Sequence, residues 1–351
     1  MKVLIFGGAG RQGRIVKSVL EHLSCEVITA DAEGADWNVP LQEADKINTL
    51  MQTVKPDCVV SSLPYHLNWQ VFREANAFET PYIDLGGSTS VAERIKLSDA
   101  CAPILTDMGL APGLVNMWAE EQYRDMTEIG RSVKRVNMMV GGLPEEKGLG
   151  DKILHYAPTW SIEGLINQYM SPCRVVVNNA ELVNTALSSR IPLSDGYEAF
   201  NTSGGIGHTA QLMVDRGVDY CSYKTIRYAG HCERLKALIQ LPHSGPQNVL
   251  RDYLTKISKE YGQVPDKVVI RCESETYTGN FYTKHRIIRA TGEWSAMQLA
   301  TGIPVAVSAY VLMTKELESK HMTYHDLIEA MPDFNQKVDN ILRVYGGIGW
   351  E

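Results

Sequence analysis

At 351 residues the chain is longer than a single hydrophobic core usually serves, so two domains are expected. Its formal charge is −7, with no basic run and no basic patch interleaved with aromatics, which excludes nucleic acid and anionic membrane surfaces as partners and leaves small molecules. The seven cysteines are odd in number and include no C-x-x-C pair, and no histidines cluster at ligand spacing; a disulfide framework and a metal site are both unexpected, and a reducing cytoplasm is the expected compartment.

Residues 2–6 form a short apolar run with no room for a helix, and read as a buried parallel strand. The turn Gly7-Gly8-Ala9-Gly10-Arg11-Gln12-Gly13 follows at once. In a G-x-G-x-x-G frame, Gly8 permits the tight turn, Gly10 lets the backbone approach a pyrophosphate, and Gly13 lets the next helix pack on the strand. Ile15, Val16, Val19, Leu20 and Leu23 then recur at helical spacing, so that helix offers its N-terminal amides, from Arg11 and Gln12 onward, to the phosphates. A second strand, residues 26–31, ends in Asp31, where a carboxylate bonds both hydroxyls of an adenosine ribose. The acid points to NAD rather than NADP.

Further strands are expected at residues 57–63, 81–85 and 103–107, with helical patterns between them, giving a doubly wound parallel sheet of the Rossmann type. Ligands of such sheets bind beyond the carboxyl ends of the strands, so residues 61–66, 84–88 and 107–113 are the informative exits. From about Val133 the pattern changes. Residues 133–140, 174–177, 220–227, 267–273 and 283–290 are strand-like, and Tyr277-Thr278-Gly279-Asn280-Phe281 is a hairpin signal, which predicts an inserted α+β domain on an antiparallel sheet. The tail is helical, with further helices from Thr323 and Asp333. Its apolar stretch, residues 299–313, contains Gly302 and Pro304, predicting a kink or break, and is shorter than the ~20 residues a membrane span requires. The expected organisation is a dinucleotide domain over 1–130, a substrate and oligomerisation domain over 131–292, and helices over 293–351 that return to the first domain.

Several stretches carry a resemblance: Asp107-Met108-Gly109-Leu110-Ala111-Pro112-Gly113-Leu114, Tyr82-Ile83-Asp84-Leu85-Gly86-Gly87, the segment from Trp160 to Tyr169, Glu198-Ala199-Phe200-Asn201-Thr202-Ser203-Gly204-Gly205, and Tyr223-Lys224-Thr225-Ile226-Arg227-Tyr228. Together they resemble the saccharopine dehydrogenase-like oxidoreductases, in the branch that contains L-lysine 6-dehydrogenase. The resemblance implies hydride transfer between a nicotinamide and the carbon beside an amine, an amino-acid substrate, and a homodimer or larger homo-oligomer. Ala229 replaces the branch's usual proline, and Met108 its frequent cysteine. Alternatives within the likeness are a saccharopine dehydrogenase and a carboxynorspermidine-type dehydrogenase. A non-catalytic NAD-sensing regulator is the alternative of another class.

Oxidising an amine requires a group to take its proton, and hydrolysing the imine requires a positioned water. Candidate proton handlers are Tyr65, His66, Asp107, Glu163, Lys224 and His231, and the sequence does not choose among them. Ser62, Leu63 and Pro64, with Gly86, stand at strand exits on the nucleotide side. Trp160 joins the substrate residues through the resemblance, while Thr202, Ser203 and Gly204 offer hydroxyls and amides suited to a carboxylate, for which Lys224 and Arg227 supply cations.

Overall fold

A computed structural model describes residues 1–240, 245–317 and 319–349; the expected tail, 293–351, is thus described except for residues 318, 350 and 351. The chain forms two compact units, Met1–Glu120 with Gln298–Tyr345, and Glu121–Met297 with Gly346–Gly349. These divisions fall ten residues before and five residues after the boundaries expected at 130 and 292.

In the first unit β1 (Lys2–Phe6), α1 (Arg11–His22), β2 (Glu26–Asp31), β3 (Trp37–Asn38), α2 (Ala44–Val54), β4 (Cys58–Ser61), α3 (Tyr65–Ala77), β5 (Tyr82–Asp84), α4 (Thr89–Lys96), β6 (Ile104–Leu105) and α5 (Leu114–Glu128) follow in order. The strands are all parallel, in the order β3-β2-β1-β4-β5-β6. Strand order reverses between β1 and β4, which puts the ligand crevice of a doubly wound sheet beyond their carboxyl ends. Val3, Leu4, Ile5 and Phe6 are all fully buried, as a strand covered on both faces requires. β3 has no apolar pattern to announce it; its two exposed residues pair with Ala30 and Asp31.

The second unit contains β7 (Val133–Pro144), α6 (Ile162–Met170), β8 (Cys173–Val177), β9 (Ala180–Asn184), β10 (Ile191–Pro192), β11 (Tyr197–Asn201), α7 (Thr209–Asp215), β12 (Tyr220–Tyr228), α8 (His231–Ile239), α9 (Pro246–Tyr261), β13 (Asp266–Thr276) and β14 (Phe281–Arg289). Its main path runs β10-β11-β12-β7-β13-β14, with β8 joined to β12 and β9 to β8. The sheet is mixed rather than wholly antiparallel, because β12 returns beside β7 in the parallel sense after a long crossover. The β13–β14 hairpin turns at Tyr277 to Asn280, as the sequence indicates.

Three helices complete the chain: α10 (Ala296–Thr314), α11 (Tyr324–Ala330) and α12 (Phe334–Val344). α10 runs unbroken through Gly302 and Pro304. Gly302 serves contact rather than interruption, since a methyl group there would collide with Ile15 of α1. α10 is apolar and long enough to cross a membrane, but 83% of its most apolar window is buried within the protein, as in a core helix. α11 starts at a reciprocal capping box between Thr323 and Asp326.

Candidate functional site

The glycine loop between β1 and α1 is shaped by three close approaches. Gly7 adopts the left-handed φ of +79° that makes the turn, so it, not Gly8, is the turning residue. A side chain on Gly8 would lie 2.5 Å from Cβ of Thr29 on β2, and one on Gly13 would enter the carbonyl of Gly7 and stand 2.6 Å from Cα of Gly8. Gly10 precedes α1 in extended conformation with no capping side chain, so the first amides of the helix, at Arg11, Gln12 and Gly13, have no intrahelical acceptor. The Asp31 carboxylate accepts hydrogen bonds from the amides of Ala9 (3.2 Å) and Ala32 (2.8 Å), which sets it beside the loop. The buried Ser62 Oγ, next to Gly7, has no partner among the described residues. An orphaned hydroxyl, the N-terminal amides of α1 and a carboxylate at the end of β2 fit a dinucleotide's phosphates and ribose.

The exits of β4, β5 and β6 converge. Pro64 precedes the first turn of α3, leaving Tyr65 half-buried and His66 exposed, their rings edge to face. The Gly86–Gly87 turn lies between Tyr65 and Asp107: a side chain on Gly87 would reach Cβ of Tyr65 at 3.4 Å, and one on Gly86 would strike the Asp107 carboxylate. Asp107 is buried in the left-handed region, φ +62°, with its carbonyl accepting from the hydroxyl of Tyr324. Asp84, which the sequence marks only as a strand exit, is buried and accepts from the amides of Gly86 (2.8 Å) and Asp107 (3.2 Å) and the hydroxyl of Tyr82 (3.0 Å). Burial raises its carboxyl to about 6.

In the second unit, alternation along β12 puts Tyr223, Thr225 and Arg227 on one face of the strand and Lys224 on the other. On the first face, Thr225 Oγ1 accepts from Gln168 Nε2 (2.9 Å) and pairs with Thr202 Oγ1 (2.7 Å), while Gln168 Oε1 is buried without a partner among the described residues. The buried Arg227 guanidinium donates from Nε to the hydroxyl of Tyr169 (2.9 Å) and lies over the ring of Tyr156. The Trp160 ring packs against Gly164 at the start of α6, and the Ser203 amide donates to the carbonyl of Gln168 (3.0 Å). Gly204 turns the chain at φ +95° with open space beside it.

A sequence model of the family described as "Saccharopine dehydrogenase C-terminal domain" matches residues 109–347. The chain belongs to this family. It is 26% identical over 268 residues to the mitochondrial alpha-aminoadipic semialdehyde synthase of Bos taurus, covering 68% of this chain and 28% of that protein. It is 23% identical over 203 residues to the saccharopine dehydrogenase [NADP(+), L-glutamate-forming] of Pyricularia oryzae, covering 54% of this chain and 44% of that protein. The chain thus spans less than half the length of these relatives. The apo saccharopine dehydrogenase (L-Glu forming) of Saccharomyces cerevisiae has the same fold, with a TM-score of 0.72 at 13% identity over 98% of each chain.

Within this saccharopine dehydrogenase-like framework, Glu163 and Lys224 stand apart from both clusters, while His231 packs behind Tyr156 and Tyr169 of the Arg227 cluster. Glu163 is exposed in the first turn of α6, bound through both oxygens to Arg251 of α9 at 2.7 and 2.9 Å. The first-turn acid of a helix is stabilised by the helix dipole without any catalytic task. Lys224 is committed on its own face, donating to Asn201 Oδ1 (2.6 Å) and the Ser189 carbonyl (3.2 Å), and burial lowers its ammonium to about 8. It therefore does not share a carboxylate with Arg227. His231 is sealed among Tyr156, Tyr169 and Phe200, with Nδ1 donating to the Leu154 carbonyl (3.0 Å). Burial first, then the Arg227 charge, pushes it down to about 3, so it is neutral near pH 7 and carries no substrate charge. The sequence does not single out Tyr156, Gln168, Tyr169 or Thr225; strand alternation from Arg227 is the one signal that could have found Thr225.

Proposed function

We propose that the chain is an NAD-dependent oxidoreductase acting at the C–N bond of a lysine-type amino acid, and that it oxidatively deaminates the side-chain amine of lysine. The observation that carries the finer reading is the charge balance on the Arg227 face of β12. Saccharopine has three carboxylates, and burying each without a partner costs several kcal/mol, roughly 3–5 for a broken buried pair. Other cations of the second unit are engaged elsewhere: Arg174 with the Gly207 carbonyl and Glu181, Arg190 with Glu198 and Glu233, Arg234 with the Ile153 carbonyl, Arg251 with Glu163, Arg216 over the Tyr123 ring, and Lys224 on the opposite face. Arg227 thus serves as one anchor for one carboxylate, on the face where Thr225 pairs with Thr202, which suits lysine.

The nicotinamide, when bound, accepts a hydride from the carbon bearing the amine. The chain's own part begins with the first-turn amides of α1, which hold the pyrophosphate, and Asp31, which holds the adenosine ribose and repels a 2′-phosphate. Asp107, buried at the β6 exit, is the group we assign to take the proton from the substrate ammonium, because Glu163 and His66 are exposed, Lys224 is committed to Asn201 and His231 is sealed; Tyr65, across the Gly86–Gly87 turn, is the second candidate. Loss of the hydride leaves an imine, which water hydrolyses to an aldehyde and ammonia. Purified protein with NAD and a panel of lysine, saccharopine and diamines tests the assignment: lysine should yield equal amounts of NADH and ammonia. Turnover of saccharopine with lysine inert would reverse the finer reading.

A further inference from the structure

One buried hydrogen-bond network joins three consecutive strand exits in the first unit. It begins at Ser61, the last residue of β4, whose hydroxyl donates to Asn68 Oδ1 on α3 at 2.8 Å. The Asn68 carbonyl and the Asp84 carboxylate are alternative acceptors for the Tyr82 hydroxyl, at 3.3 and 3.0 Å. The other oxygen of Asp84 receives the amides of Gly86 and Asp107. Ser61, Asn68, Tyr82, Asp84 and Asp107 are all less than 9% exposed, so water does not substitute for any of these partners.

An acid on a core strand is expensive to bury, and an apolar residue at position 84 would satisfy the alternation of a strand covered on both faces. A carboxylate there does what no apolar residue does: it collects two amides from two different loops into a space of one oxygen. Those loops carry Gly86 and Asp107, and the same network reaches back to the strand that delivers Ser62 and Tyr65. The adenosine side of the crevice, built by the glycine loop and Asp31, makes none of these bonds.

We infer that Asp84 is a positioning residue that fixes the β4, β5 and β6 exits against one another, and so places the nicotinamide half of the dinucleotide without influencing its adenosine half. The inference rests on the dinucleotide reading above. Asp84→Asn keeps an acceptor for the two amides but weakens both bonds, and Tyr82→Phe removes the tether to α3 while leaving the carboxylate; the second variant serves where the first folds poorly.

The test compares two probes, NADH and ADP, titrated against wild type and both variants. For Asp84→Asn the expected result is a rise of fivefold or more (roughly 1 kcal/mol) in the dissociation constant of NADH and an unchanged constant for ADP; Tyr82→Phe should show the same pattern more weakly. Equal weakening of both probes assigns Asp84 to general structure and overturns the inference, as does no change in either. Failure of wild type itself to bind NADH removes the dinucleotide reading, an outcome separate from any behaviour of the variants.

Discussion

The two clusters are built from different materials. In the first unit the glycine loop works through backbone: Gly7 for its φ, Gly8 and Gly13 for the absence of a side chain, and α1 for its N-terminal amides. In the second unit the face of β12 works through side chains, Thr225 and Arg227 with Gln168 and Tyr169 from α6 and Thr202 from the loop after β11. A backbone site demands particular residue types at fixed spacing and is therefore readable. A side-chain site is set by strand register and burial, and equivalent letters such as Lys224 and Arg227 have opposite fates three residues apart.

That contrast is broken most strongly at Gly13. Gly13→Ala puts a methyl group into the Gly7 carbonyl, so NADH binding should be lost and stability should fall by about 1–3 kcal/mol; a titration and a thermal melt read both. Retained binding would mean that the loop is not the nucleotide site. On the side-chain region, Arg227→Ala should raise the KM for lysine about ten- to hundredfold, the worth of a charged hydrogen bond, with a smaller change in kcat. Lys224→Met, on the other face, should leave KM within about twofold. Equal KM effects from the two would refute the division of faces.

Asp84 supplies a pH-dependent comparison. Its folded carboxyl lies at about 6 against an ordinary 3.8, so the native state holds the proton more tightly than the unfolded chain. The stability from that proton is full below about 3.8 and is lost as pH rises through about 6. Asp84→Asn, unable to ionise, should therefore carry the cost of its weaker hydrogen bonds near pH 4 and recover on the order of 2 kcal/mol relative to wild type by about pH 7.5, while binding NADH less well. A constant difference across that range would show that Asp84 does not titrate as its burial requires.

Two smaller effects sharpen the picture. Asp31→Ala should shift the ratio of kcat/KM values for NAD and NADP about tenfold toward NADP, since it removes a ribose acceptor and a repulsion. Glu163→Gln should leave kcat within about twofold, because the exposed pair with Arg251 is of a kind worth about 0–1 kcal/mol; a large fall in kcat would restore Glu163 to the reaction.

Much of the fold is legible in the sequence. The strand at residues 26–31, the helix starts at Thr323 and Asp333, and the β13–β14 turn stand where the pattern put them. Apolar periodicity and turn chemistry are local, so the sequence carries them. β3 was missed because two exposed residues have no periodicity, and β11 because its alternation is too short to separate from a loop. Pro304 suggested a break, but the burial of α10 overrides the loss of one helical hydrogen bond. Among site residues, Asp84 passed as an ordinary strand acid, and His231 and Glu163 as possible proton handlers. One is buried where two loops meet, another sealed by three aromatic rings, and the last paired on the surface, and burial of a single polar side chain leaves no periodic trace.

The central claim is tested most directly by following NADH formation as lysine is added to the purified protein with NAD, with ammonia measured in parallel. The account predicts NADH and ammonia in equal amounts, dependent on lysine and abolished in Gly13→Ala. A protein that binds NADH tightly yet forms none with lysine, saccharopine or a diamine would contradict it.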